Sequence, residues 1–267
     1  MGRILAFAAV LAFVSACSLF GPTKLVDEEI IPPETLYSQA LKKMDEQRYQ
    51  ESLDLLKKLQ RQHPYSDFNE KAKLMEVYGN YHIGRFDDAI AAADRYTATF
   101  PSSPEMPYVL FLKGTAYFAQ ITDITRDQKI SQQAIDTYTL LISNYPDSKY
   151  AKDAKDKLVI AVDQLAGKEM SVGRYYAGNG QYTAAINRFK VVVDKYQTSS
   201  HIEEALFRLT ESNLALGLNH EAQTAAAVLG HNYPSSQWYK DALKLLQDVG
   251  LEPVVQQGSS LATALQG

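Results

Sequence analysis

Few of the 267 residues could do covalent or metal chemistry, and the first is the only cysteine, Cys17. A lone cysteine can form no internal disulfide and no cysteine metal site, which leaves its thiol as a nucleophile to be modified. The five histidines, His63, His82, His201, His220 and His231, show no paired metal-ligand spacing. His220-Glu221 opens like a zinc-protease HExxH, but Thr224 stands where the second histidine must be. There is no phosphate-binding P-loop, no Gly-x-Ser-x-Gly elbow and no dinucleotide fingerprint. These absences argue against an enzyme, a metal or a bound cofactor. A net charge of −4 supplies no basic face for phosphates, so nucleic acid is not an expected partner either.

The residues before Cys17 say what its thiol is for. Arg3, the apolar run from Ile4 to Val14, then Ser15 and Ala16 have the layout of a secretory signal, and the run is too short to span a bilayer comfortably. Val14-Ser15-Ala16-Cys17 resembles the bacterial lipobox, in which the thiol is alkylated by diacylglycerol, the chain is cut before the cysteine and the new amino group is acylated. The expectation is therefore removal of residues 1–16 as a lipoprotein signal peptide, with Cys17 as lipid attachment site. That leaves 26 basic and 31 acidic residues, a net −5. Stable anchoring takes about two acyl chains, which this modification supplies. Ser18, rather than the aspartate that favours inner-membrane retention in enterobacterial lipoproteins, leans the address to the outer membrane. Residues 17–33, ending in Pro32-Pro33, read as a lipidated tether with a root-mean-square span of roughly 20 to 25 Å.

Beyond the tether one spacing recurs. From a small residue to a residue just past a helix end the count is twelve in Ser52 to Pro64, Ala89 to Pro101, Ala134 to Pro146, Ala185 to Gln197 and Ala222 to Pro234. His63, Phe100, Tyr145, Tyr196 or Tyr233 precedes each end residue, and Ser66, Ser103, Ser148, Ser199 or Ser236 stands two positions after it. Six residues beyond each serine comes Ala72, Val109, Ala154, Ala205 or Ala242. The small residue lets two helices approach, the proline ends a helix, and the serine is suited to cap the next. This is the pattern of tetratricopeptide (TPR) repeats, whose period is about 34 residues. The fold expected is all-α, a TPR-type solenoid of about five helix pairs over residues 34–247. The repeats fall at 34–65, 66–102, 103–147, 148–198 and 199–235, with a C-terminal capping helix at 236–247. Residues 248–267 are poor in large apolar groups and are expected to be a disordered tail.

Two repeats depart from the regular count. From capping serine to small residue is 23 in repeats two and five, but 31 from Ser103 to Ala134 and 37 from Ser148 to Ala185. A longer loop around 121–129 can absorb the first surplus. No proline lies between Lys149 and Gly180, so the second predicts one long helix, bent at Gly167 or Gly173, whose extra length overhangs the stack. Two roles stand for that overhang, a docking surface near 167–178 or packing on repeat three.

Several segments go beyond a generic repeat. Arg126-Asp127-Gln128, Tyr145-Pro-Asp-Ser-Lys-Tyr150, Glu169-Met-Ser-Val-Gly-Arg-Tyr-Tyr176, Ala184-Ala-Ile-Asn-Arg188 and Glu203-Glu-Ala-Leu206 resemble the BamD (ComL) family of outer-membrane assembly lipoproteins over about residues 34–247. His63-Pro-Tyr-Ser66, where the family has Tyr-Pro-Phe-Gly, and the tail at 258–267 depart from it. The resemblance implies a non-catalytic subunit of the Bam complex, lipid-anchored on the periplasmic face of the outer membrane. It implies partners in a BamA-like barrel protein, other Bam lipoproteins and unfolded barrel substrates. It also implies a charge-assisted contact from Arg188 to the barrel subunit; on residues alone Arg188 reads as a solvated helix arginine. Tyr78, Tyr81, Tyr108, Phe111 and Tyr117 each read as core on their stripes, yet as a set they mark a substrate-peptide groove in the N-terminal repeats. Another periplasmic TPR scaffold, in cell division or peptidoglycan coordination, is the alternative.

Overall fold

The computed structural model describes residues 29–121 and 128–254, and among them every regular element is helical. Cys17, the signal and most of the tether, Arg126 and Asp127, and residues 255–267 lie outside the described residues. Eleven helices follow in order. They are α1 (Pro33–Asp45), α2 (Tyr49–Gln62), α3 (Phe68–His82), α4 (Phe86–Thr99), α5 (Met106–Ala119), α6 (Gln128–Asn144), α7 (Ala151–Gly178), α8 (Tyr182–Lys195), α9 (Ile202–Ala215), α10 (Asn219–Asn232) and α11 (Gln237–Asp248).

The recurring positions have the burial their spacing requires. Ser52, Ala89, Ala134, Ala185 and Ala222 are all fully buried, and so are Ala72, Val109, Ala154, Ala205 and Ala242. At Ser52 the hydroxyl donates to the Ala40 carbonyl at 2.8 Å, so the one polar member of the first set is satisfied across the helix pair. Helices end at the expected aromatic or histidine. His63, Phe100, Tyr196 and Tyr233 leave the helical region with φ between −135° and −127°, where a following proline forces the chain. Gln197 replaces that proline after Tyr196 without altering the turn.

Three of the serines cap from ahead of the standard N-cap, Ser66 by one residue and Ser103 and Ser148 by two. Ser66, Ser103 and Ser148 accept from the amides of Phe68, Glu105 and Tyr150 at 3.1 to 3.2 Å, ahead of helices that begin at 68, 106 and 151. Ser236 is a true N-cap, accepting from Trp238. Ser199 departs from the expectation: its buried hydroxyl has no partner. The start of α9 is instead held from α7, where Asp163 Oδ1 accepts from the Ser200 amide at 2.8 Å and the Ser200 hydroxyl at 2.7 Å.

Within four of the pairs the helices join through one turn shape. Gln47, Gly84, Gly180 and Gly217 sit at φ +57° to +76°, and the next amide reaches back five residues, as Arg85 does to the Asn80 carbonyl at 3.0 Å. This left-handed closure satisfies the last carbonyls of the first helix.

First helices of successive repeats touch one another, α1 to α3, α3 to α5, α5 to α7 and α9 to α11, and no comparable contact joins second helices of successive repeats. First helices therefore line the inside of the curve. The long helix forms as expected, 28 residues from Ala151 to Gly178, but it does not overhang. Its first half buries Ala151 and Ala154 against repeat three, and its second half buries Ala166, Met170 and Gly173 against α8 and α9. One helix thus covers repeat three and serves as first helix of repeat four. Gly167 and Gly173 are packing positions, with no break in the helix: a methyl group on Gly173 would stand 2.8 Å from Phe189 Cδ1.

The C-terminal end also differs from expectation. After α11, Gly250 at φ +73° reverses the chain, the Leu251 amide bonds the Leu246 carbonyl at 2.9 Å, and Leu251 packs on the last core. Gln223 Nε2 donates to the Glu252 carbonyl at 2.8 Å, so the tail begins as an ordered return across α10.

Candidate functional site

Two regions bring together the residues singled out by sequence. The first is aromatic. At the C-terminal end of α3, Tyr78 and Tyr81 flank His82, with ring centroids 4.1 and 5.3 Å away. Tyr49 stacks on His82 from α2 at 5.2 Å, and Phe86 meets Tyr81 at 5.9 Å. Desolvation by burial holds the His82 imidazole below its usual pKa. One repeat further, Tyr108 and Phe111 of α5 both stack on Tyr150, at 4.9 and 5.4 Å, and the Lys149 ammonium lies 5.0 Å over the Tyr150 ring. Burial, then the charge of neighbouring tyrosines, pushes the Tyr108 phenol up to about 12, which keeps it a neutral donor.

Tyr78, Tyr81, Tyr108 and Phe111 are half-buried on first helices, the helices that touch one another from repeat to repeat. Tyr117 is different. It is 9% exposed and belongs to the core cluster, not to an open lining. Asp87 and Asp94 of α4 are among the charges that act on its phenol, and the Lys113 ammonium lies 5.9 Å from its ring, so it sits on the side of α5 that meets the preceding repeat. Tyr150, which the sequence marked only as the end of the segment Tyr145-Pro-Asp-Ser-Lys-Tyr150, joins Tyr108 and Phe111 by stacking on both. Its position two residues after a capping serine, where it can reach the preceding first helix, was the available signal.

The second region lies on the C-terminal half. Arg188, on α8, is 45% exposed and places Nη1 3.2 Å from Oε2 of Glu169, a carboxylate on α7 that is only 6% exposed. Arg188 is therefore not a free solvated arginine: one edge of the guanidinium satisfies a buried acid. Burial, then the Glu169 charge, raises the Tyr196 phenol. Nearby, Glu204 bridges Arg174 at 2.9 Å and Arg208 at 3.4 Å, and Arg208 also bonds Glu211 at 2.9 Å while lying over the Phe207 and Trp238 rings. Arg174, Tyr182, Arg208 and Glu211 line a recess of about 280 Å³. Tyr175 in the last turn of α7, and Leu216 and Leu218 between α9 and α10, stand exposed at 69%, 42% and 43%. Such a surface suits a protein partner, with open apolar groups beside charges already fixed in place. Among the described residues no group of acids and histidines could hold a metal ion, and no helix is long and apolar enough to cross a membrane.

The family model for YfiO, described as an outer membrane lipoprotein, matches residues 30–229, which include both regions. The chain belongs to this BamD/YfiO family. A BamD relative from Caulobacter vibrioides, named outer membrane protein assembly factor BamD, is 44% identical over 93% of this chain and 82% of its own length. The BamD of Rickettsia prowazekii is 35% identical over 82% of this chain and 87% of that protein. That of Neisseria meningitidis serogroup B is 32% identical over 90% and 94%. The family model thus runs from α1 into α10 and includes the long helix that the repeat count marked as irregular.

Proposed function

We propose that this chain is a non-catalytic, lipid-anchored subunit of the outer-membrane protein assembly machinery, held on the periplasmic face through Cys17. The observation that carries the reading is the likeness to an assembly factor over 93% of the chain. That likeness gives the cell-division or peptidoglycan scaffold no support. The aromatic surface of repeats two and three, Tyr78, Tyr81, Tyr108 and Phe111, with Tyr150 at the start of repeat four, receives the extended terminal segment of an unfolded barrel protein, whose alternating apolar residues can lie against ring faces. The repeat-four and repeat-five surface around Arg188, Tyr175 and Leu216 holds the barrel subunit, with the other lipoproteins of the complex as further partners. A solenoid suits this division because different repeats present different surfaces on one rigid body.

The test has two arms. A photocrosslinker at positions 78, 81, 108 or 111 should capture a barrel protein's terminal peptide, while one at the buried Tyr117 should not. Mild-detergent purification from native membranes should bring down a large barrel protein. Failure of all four surface positions to capture peptide would remove the substrate assignment, and absence of the barrel protein would remove the complex.

A further inference from the structure

We propose that the first inter-repeat turn, His63-Pro64-Tyr65, is a membrane-contacting edge whose Tyr65 ring lies in the headgroup region of the bilayer that carries the anchor. The inference rests on the reading of Cys17 as the lipid attachment site.

The five equivalent turns can be compared within the one chain. The residue after the helix-ending position is Tyr65, Ser102, Asp147, Thr198 or Ser235, so four are small or polar and only the first is a large ring. Tyr65 is 99% exposed. The repeat needs no aromatic there, and the fold gives this one nothing to pack on. A tyrosine ring is a large amphipathic group, apolar in its body with a polar tip, and such rings favour the membrane–water boundary.

The same turn departs from its siblings at a second position. Where the others end in Phe100, Tyr145, Tyr196 or Tyr233, the first ends in His63, and its Nε2 lies 2.7 Å from the Ile31 carbonyl. Beside it Gln62 accepts from the Ile31 amide at 3.2 Å and donates to the Glu29 carbonyl at 3.0 Å. Three hydrogen bonds therefore fix the entering chain to the turn that exposes Tyr65. Ile30, between the fixed residues, is 75% exposed.

Glu29 lies only twelve residues along the chain from Cys17. A flexible chain of that length has a root-mean-square span of about 19 Å and cannot exceed about 40 Å. The anchor thus holds this pole, and no other part of the solenoid as closely, against the lipid. The charges around the turn are mainly the acids Glu29, Asp67 and Glu70, with Arg61 and Lys71 as basic neighbours. That is not the basic cluster that draws proteins to anionic lipid, so the contact is apolar and interfacial.

The test uses the full acylated protein in vesicles of phosphatidylethanolamine and phosphatidylglycerol with brominated acyl chains. Trp238 is the only tryptophan, so Trp238→Phe gives a silent background, its Phe207 contact kept. In that background Tyr65→Trp should emit to the blue and be quenched by the brominated lipid, in high salt as in low. Tyr175→Trp, at the far end of α7, should show neither effect. An acylated, vesicle-bound protein whose indole at position 65 stays in water overturns the contact and leaves the anchor standing. Quenching abolished by salt also overturns it, because an apolar contact is not screened. A mature protein without acyl chains overturns anchor and contact together.

Discussion

At the scale of single residues, the pairing of Arg188 with Glu169 changes what a substitution there would measure. Arg188→Ala removes a proposed partner contact and also one hydrogen bond to a carboxylate 6% exposed. A charge-assisted bond of this kind is worth about 1 to 2 kcal/mol, reduced by the exposure of the arginine. Arg188→Ala is thus expected to lower stability by that amount in chemical denaturation. It should also weaken binding to the periplasmic part of the barrel subunit. Arg188→Lys should keep most of the stability but not the affinity, since an ammonium cannot grip two carboxylates with one planar fork. Equal affinity for all three proteins would leave Arg188 with a structural role alone. Gln47 offers a cleaner stability test. It holds φ +57° at the turn where Gly84, Gly180 and Gly217 do the same without a Cβ. Gln47→Gly should raise stability by about 0.5 to 1 kcal/mol, from relief of left-handed strain net of glycine's extra unfolded entropy. A loss of stability would show that the side chain contributes more than its conformation costs.

Among the elements, what could be read from sequence was whatever repeats. The small residue and the position six past the serine recur because each is a helix–helix contact point, and all ten of those positions are fully buried. Helix ends were legible for the same local reason, since a proline disfavours helix in the residue before it. The long helix could be counted but not placed: fourteen surplus residues state a length, and only packing decides which neighbours bury it. Likewise Glu169 and Arg188 are nineteen residues apart on different helices, and Asp163 caps a helix thirty-seven residues downstream. No spacing rule encodes such pairs. Tyr117, core on its own stripe and lining only as one of a set, is buried, because one stripe cannot tell which of its members a neighbouring helix covers. Gly173 tests the packing of the long helix. Alanine favours helix by up to about 1 kcal/mol, yet its methyl would press on Phe189, and overpacking a core costs about 1 to 3 kcal/mol. Gly173→Ala should therefore destabilise the protein in denaturant. Stabilisation would mean that Phe189 can move aside.

Across the whole molecule the two ends are unlike. The last repeat is covered by α11 and by the return of Leu251, whereas no helix among the described residues covers the outer face of α1 and α2. In a solenoid each repeat is stabilised by its neighbours, so the uncovered end opens first. Amides of α1 and α2 are expected to exchange with deuterium before those of α9 and α10, as peptide-resolved mass spectrometry would show; the reverse order would contradict this account. Between the ends runs α7. Other repeats meet at short turns, where a few torsions can give, but here the halves share 28 residues of unbroken backbone, about 42 Å of it. To flex that joint is to break main-chain hydrogen bonds. The helix is in effect a ruler: it sets the distance and angle between the front half and the rear half, and so between the two surfaces proposed to hold different guests.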